Sequence, residues 1–179
     1  MDSTELRRAA RWKYELGRLW VALPAGIAAL VLVVVALSLW RSVTVLGVGA
    51  LLVALSLGYG VWGRRLARAV FLGLGAALIP LILPSVAMHW ALVRGVSEFS
   101  ALCFGACGVS GSLAGALIAW TSRSVTRGRR AVLLAAGGLA AVGGALTCIR
   151  FETPGVLLLL AGLGLVLTPC YALARPQQA

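Results

Sequence analysis

The chain contains six long apolar runs, and each has the roughly 20 residues that a helix needs to cross a bilayer. The runs are 19–40, 43–62, 69–90, 99–120, 131–149 and 154–174. They are apolar on every face instead of at alternate positions, which excludes the strands of an outer-membrane barrel. Only 12% of the 179 residues are charged, about half of the fraction found in a soluble domain. The sequence therefore predicts an all-α integral membrane protein with six transmembrane helices.

Lysine and arginine are distributed unevenly between the two ends of these spans. The segments on the same side as the amino terminus carry thirteen of the sixteen, and the opposite segments carry three. Because cytoplasmic loops retain the excess of positive charge, both termini are predicted to be cytoplasmic. A pI near 11.2 would suggest nucleic acid binding by a folded basic face. Here the charge is divided among short loops, so we expect the bilayer as a partner and no direct contact with nucleic acid.

Two terminal segments lie outside the spans, residues 1–18 and residues 175–179. The first has apolar and basic residues at helical spacing, which predicts an amphipathic helix. One interpretation is that this helix lies on the inner surface of the membrane. The other is that it docks a cytosolic protein. The residues that would contact such a partner are Leu6, Arg7, Arg8, Arg11 and Leu16.

The chain is poor in residues that carry out catalysis. It has one histidine, His89, and five carboxylates, three of which lie in the segment 1–18. No carboxylate falls in the middle of a span, so the sequence shows no proton relay or ion pathway. It also lacks the HExxH and phosphate-loop motifs. We expect a protein that is not an enzyme and that carries no resident cofactor.

Small residues in the fourth and fifth spans indicate close helix packing. Gly111 and Gly115 form a GxxxG motif in the fourth span, and residues at this spacing let helix backbones approach each other. Because a short connection joins spans four and five, we expect these spans to form a tight antiparallel hairpin. The same glycine face would also allow the chain to form a homo-oligomer.

The predicted orientation brings three cysteines and the histidine towards the outward surface. Cys103 and Cys107 lie one turn apart in span four, Cys148 lies in the last turn of span five, and His89 lies near the end of span three. Cys170 lies near the inner end of span six, about 30 Å from the other three cysteines.

Three interpretations of this cluster remain open. The cysteines could be small apolar side chains that fill helix contacts. Cys103 and Cys148 could form a disulfide in an oxidising periplasm, which makes them the redox candidates. His89, Cys103, Cys107 and Cys148 could together bind zinc or copper, since they are the ligand types of a Cys₃His site.

Three features of the chain are shared with a known family. The chain begins with MDSTELRRA (1–9), Cys103 leads the fourth span, and CIRFETP (148–154) precedes the last span. In these features and in its six-span layout the chain resembles the NrsF type of bacterial membrane anti-sigma factor. Thr147 stands where that family tends to have a histidine, Cys107 is an additional cysteine, and the aromatic pair common in the family's last span is missing.

The resemblance implies a regulator in the cytoplasmic (inner) membrane of a bacterium, whose amino-terminal segment binds a sigma factor. It also implies release on a signal felt at or across the membrane, through the outward cysteines. Since the segment 1–18 is short, the inner loops 63–68 and 121–130 would share the contact. The alternative is a small transporter-like, channel-like or scaffold subunit. The middle of each span is nearly all Ala, Leu, Val and Gly, which argues against a substrate pathway.

Overall fold

A computed structural model of the chain describes residues 3–39, 43–61, 64–95, 99–125, 128–148 and 152–174. The described residues form six α-helices, a single 3₁₀ turn at Ser122–Ser124, and no strand. The helices are α1 (Ser3–Leu39), α2 (Val43–Val61), α3 (Arg64–Arg94), α4 (Phe99–Thr121), α5 (Arg129–Cys148) and α6 (Glu152–Leu173). All six are long and apolar enough to cross a membrane. The prediction of an all-helical chain with six such helices is therefore confirmed.

Two helices extend beyond the predicted spans. α1 continues without a break through residue 18, where the amino-terminal segment was predicted to end, and it has 37 residues. At 1.5 Å per residue it is about 55 Å long, against about 30 Å for the hydrocarbon core of a bilayer. α3 has 31 residues and includes the arginines on both sides of its apolar run. Arginine is a good helix former, so a change from apolar to basic residues does not end a helix. α3 ends before Gly95, which has a φ of 65°.

The six helices pack as two pairs on either side of a central pair. α3 and α5 form the central pair, α1 packs on α2 at one side, and α4 packs on α6 at the other. One core cluster lies among α1, α2, α3 and α5 around Leu52, Val70 and Leu139. A second cluster lies among α3, α4, α5 and α6 around Ile118 and Leu133.

The predicted tight hairpin between α4 and α5 is wrong, because α4 packs far more extensively on α6 and α3 than on α5. Small residues decide these contacts. On α5, a Cβ added to Gly143 would lie 2.5 Å from the Cβ of Ala77, so α5 approaches α3 closely there. On α6, a Cβ added to Gly162 would collide with the carbonyl oxygen of Gly108, so α6 approaches α4 closely.

Arginine side chains satisfy carbonyl groups where two helices end. Arg18 Nε of α1 donates to the carbonyl oxygen of Val61 in α2 at 2.7 Å. Arg130 Nε of α5 donates to the carbonyl oxygen of Ala174, just after α6, also at 2.7 Å. The last carbonyls of a helix lack partners within the helix and carry partial negative charge, so a guanidinium there is stabilising. We call the end of the bundle where α2, α4 and α6 finish the arginine-rich end.

Aromatic rings lie beside arginines near the ends of several helices. The guanidinium of Arg94 lies 5.3 Å from the ring centre of Trp90, and that of Arg123 lies 5.4 Å from Trp120. Both tryptophans are exposed, as expected for side chains at the level of lipid headgroups. The other two tryptophans at predicted span ends, Trp40 and Trp62, lie outside the described residues.

Candidate functional site

Cys107 and Cys148 lie in contact at the end of the bundle where α4 begins and α5 ends. Their Sγ atoms are 2.9 Å apart, and both side chains are fully buried. A disulfide bond is about 2.05 Å long, and these residues are two separate thiols. We call Cys107 and Cys148 the cysteine pair. The two thiols are thus close enough to react with each other.

In the structure Cys148 contacts Cys107, whereas the sequence analysis named Cys103 as its candidate partner. Cys103 is buried, with 3% of its surface exposed, but it lies one turn closer to the start of α4 than Cys107 does. Cys107 lies eight residues, or about 12 Å, into α4, and the last residue of α5 packs at this level. The sequence does not fix how far one helix is shifted along another. A bond between Cys103 and Cys148 stays a prediction, while the observed sulfur contact is between Cys107 and Cys148.

Leu159 of α6 completes the surroundings of the cysteine pair. It is 1% exposed and forms one buried cluster with the two cysteines. It also lies against Gly111 and Gly144, because a Cβ added to Gly111 would collide with the Leu159 carbonyl oxygen and one added to Gly144 would lie 2.7 Å from Leu159 Cδ2. Leu159 of α6 therefore contacts α4 and α5 at once, next to the cysteine pair.

The GxxxG residues and two cysteines share one ridge of α4. Cys103, Cys107, Gly111 and Gly115 follow each other at intervals of four residues, which places them along the same side of a helix. A Cβ added to Gly115 would lie 3.1 Å from Val166 Cβ and 3.2 Å from the Leu163 carbonyl oxygen of α6. Gly111 and Gly115 thus face α6 of the same chain. Cys107 lies one turn before Gly111 on the same side of α4, so the cysteine pair is next to this α4–α6 contact.

The predicted metal ligands are not assembled into a site. His89 lies on α3 and is exposed, whereas Cys103, Cys107 and Cys148 are buried. Across the part of the chain that the structure describes, no three His, Cys, Asp or Glu side chains are grouped so that they could hold a metal ion. The described geometry thus gives zinc or copper binding no assembled ligand set.

The predicted partner-binding residues lie on the first half of α1. The side chains of Leu6, Arg7, Arg8 and Arg11 lie outside the described residues, although their backbone is helical. Leu16 is 46% exposed. The sequence analysis missed two neighbours, Trp12 and Tyr14, which are also exposed and supply the largest apolar surfaces of this segment. The sequence does show these aromatic residues among basic ones, between Arg11 and Arg18, and this pattern could have identified them as candidates.

Comparisons with known proteins found no match for the chain. No protein-family model matches it, and neither a curated protein nor a solved structure does.

Proposed function

We propose that the protein is a regulator in the cytoplasmic membrane of a bacterium that holds a sigma factor and releases it when the cysteine pair is oxidised. The observation that carries this proposal is the buried contact between Cys107 Sγ and Cys148 Sγ at 2.9 Å. In this proposal the two thiols are a redox switch, and they lie at the end of the bundle opposite to the basic segments. The sigma factor as partner comes from the resemblance to the NrsF type.

The proposed orientation has both termini in the cytoplasm. Thirteen of the sixteen basic residues belong to segments on that side, and the positive-inside rule supports this placement. The cysteine pair would then lie towards the periplasm, where disulfides form and persist. A reporter enzyme fused after Ala179 tests the orientation: activity only in the cytoplasm supports it, and activity in the periplasm contradicts it.

The proposed contact with the sigma factor lies on the first half of α1. At 1.5 Å per residue, residues 3–18 extend about 24 Å beyond the apolar run, far enough to project from the bilayer. Trp12, Tyr14 and Leu16 are exposed there among basic residues. Aromatic and arginine side chains are enriched among the residues that dominate binding energy in protein interfaces, which supports a protein partner for this segment.

The proposed switch is the oxidation of two thiols by a peroxide. Hydrogen peroxide takes two electrons and two protons from Cys107 and Cys148, so that one S–S bond forms, the O–O bond breaks and two molecules of water leave. The sulfur atoms move from 2.9 Å to about 2.05 Å, which draws α4 towards the end of α5. Leu159 of α6 is buried against both cysteines, so we expect α6 to move with them. Such coupling requires two arrangements of the bundle that differ in affinity for the partner.

A pull-down of the full chain tests the partner. Membranes containing the tagged protein are solubilised under reducing conditions, and bound proteins are identified by mass spectrometry. We expect a sigma factor with the unchanged chain and its loss in the double variant Arg7→Glu/Arg8→Glu. The control is Arg94→Glu, which reverses a charge at the opposite end of the bundle. Absence of a sigma factor, or equal recovery with the double variant, contradicts the proposal.

A further inference from the structure

A groove of about 260 Å³ lies between α5 and α6 at the arginine-rich end. Its walls are mostly apolar side chains and glycines, with one hydroxyl residue: Leu133, Leu134, Gly137, Gly138, Leu167, Thr168 and Tyr171. The groove opens sideways on the surface of the bundle, where Leu134 is 63% exposed and Gly138 is exposed. Pockets that enclose a drug-sized molecule have about 300–1,000 Å³, so this groove suits part of a longer apolar molecule.

Glycine makes the floor of this groove. A Cβ added to Gly138 would meet nothing within 4 Å, whereas one added to Gly137 would lie 2.8 Å from Leu167 Cδ1. Gly137 thus lets α6 approach α5, and Gly138 leaves the space beside that contact open. Along the helix axis, residues 133–138 cover about 8 Å, which is the length of several methylene groups in an extended chain.

Each ridge of the α5 wall begins with an arginine. Arg129, Leu133 and Gly137 follow at intervals of four residues, as do Arg130, Leu134 and Gly138, so each arginine lies one turn above the groove on the same ridge. These arginines also occupy the first turn of α5, where the helix dipole adds positive potential. The end of the groove nearest the start of α5 is therefore one helical turn from two positive charges and from the amino end of a helix.

The two guanidinium groups differ in their partners. Arg130 lies 5.1 Å from the ring centre of Tyr171, a groove residue, and its Nε donates to the Ala174 carbonyl oxygen. Arg129 Nε is buried and has no hydrogen-bond partner among the residues described. A buried donor without an acceptor is unfavourable, and an anion beside the start of α5 would supply an acceptor.

We propose that this groove binds an anionic phospholipid, with one acyl chain between α5 and α6 and the phosphate group on Arg129 and Arg130. The apolar walls suit the chain, the two charges suit the phosphate, and one helical turn separates the two parts. Basic pockets between transmembrane helices on the cytoplasmic side bind anionic headgroups by the same chemistry. The proposal needs the membrane insertion proposed above, but it does not depend on a sigma factor or on the cysteine pair.

Native mass spectrometry of the purified full chain tests this site. The protein is taken from nanodiscs that contain equal amounts of phosphatidylglycerol and phosphatidylcholine of the same chain length, and retained lipids are counted. We expect phosphatidylglycerol to be retained about tenfold more than phosphatidylcholine, equivalent to about 1.4 kcal/mol. Equal retention of the two lipids overturns the proposal.

Two variants act on the two parts of the site independently. Arg129→Gln removes a guanidinium whose Nε has no partner among the described residues, and it should lower the preference for phosphatidylglycerol. Gly138→Leu fills open space and should reduce retention of either lipid. The controls are Arg94→Gln at the other end of the bundle and Gly105→Leu, since a Cβ at Gly105 also meets nothing within 4 Å.

The controls should retain lipid as the unchanged protein does. Lipid retention that is unchanged in both Arg129→Gln and Gly138→Leu overturns the proposal. The proposal is also overturned if the unchanged protein is a dimer and Gly138→Leu makes it a monomer, because a second copy of the chain would then occupy the groove. Recovery of a sigma factor in the pull-down is expected to be unaffected by Gly138→Leu. Failure of the lipid site and failure of the proposed function are thereby distinguished.

Discussion

Gly111→Ala should destabilise the bundle by separating α4 from α6. The added Cβ would collide with the carbonyl oxygen of Leu159 and lie 3.1 Å from its carbonyl carbon and 3.2 Å from its Cα. These are backbone atoms of a helix, so no side-chain rotation relieves the overlap. Ordinary carbon contacts are about 3.5–4.0 Å, so α6 has to withdraw by several tenths of an ångström or more. Such overpacking costs about 1–3 kcal/mol.

The assay is thermal unfolding of the purified protein in detergent, followed by tryptophan fluorescence. A loss of about 2 kcal/mol lowers the Tm of a chain of this size by about 4–8 °C. The matched control is Gly105→Ala on the same helix, where a Cβ meets nothing within 4 Å. It should leave stability within about 0.5 kcal/mol. Equal Tm values for the two variants would refute the argument that Gly111 holds α4 against α6.

Three further predictions follow from contacts of the described residues. Mild oxidation with peroxide should form a disulfide between Cys107 and Cys148, seen as loss of alkylation at both residues. The same disulfide should form in Cys103→Ser, and its absence in that variant would contradict the pairing. Leu159→Ala should reduce the free energy of unfolding by about 2–5 kcal/mol, since Leu159 is 1% exposed; a loss below 1 kcal/mol, measured by denaturant titration, would show that the site collapses. Arg18→Gln removes a hydrogen bond to the end of α2 and should cost about 1 kcal/mol, with faster hydrogen exchange at that helix end; unchanged exchange would count against the bond.

The number and approximate position of the helices could be predicted because a helix that can cross a bilayer needs about 20 consecutive apolar residues, and the sequence has six such runs. The helix ends could not, because hydropathy marks where a span leaves the apolar phase and not where backbone hydrogen bonding stops. α1 and α3 both continue into arginine-rich sequence. Gly95, with its φ of 65°, is the kind of residue that does end a helix.

Which helices pack against each other could not be predicted from the sequence, for a different reason. Small residues occur in α3, α4, α5 and α6, so each of these helices can approach another closely, and a short loop does not decide between them. The sequence identified Gly111 as a packing residue, but only the structure shows that it packs against Leu159 of α6. The cysteine pair shows the same effect, because a shift of one turn between α4 and α5 exchanges Cys103 for Cys107 as the neighbour of Cys148.

Retention of the sigma factor before and after oxidation tests the central claim, that the cysteine pair controls binding at the other end of the bundle. The full chain is reconstituted in vesicles, loaded with the sigma factor recovered in the pull-down and treated with hydrogen peroxide. Allosteric coupling of about 1–3 kcal/mol predicts that retention falls at least about fivefold in the unchanged protein and stays constant in Cys107→Ser. Retention that is insensitive to peroxide in the unchanged protein, or that falls equally in Cys107→Ser, would contradict the account.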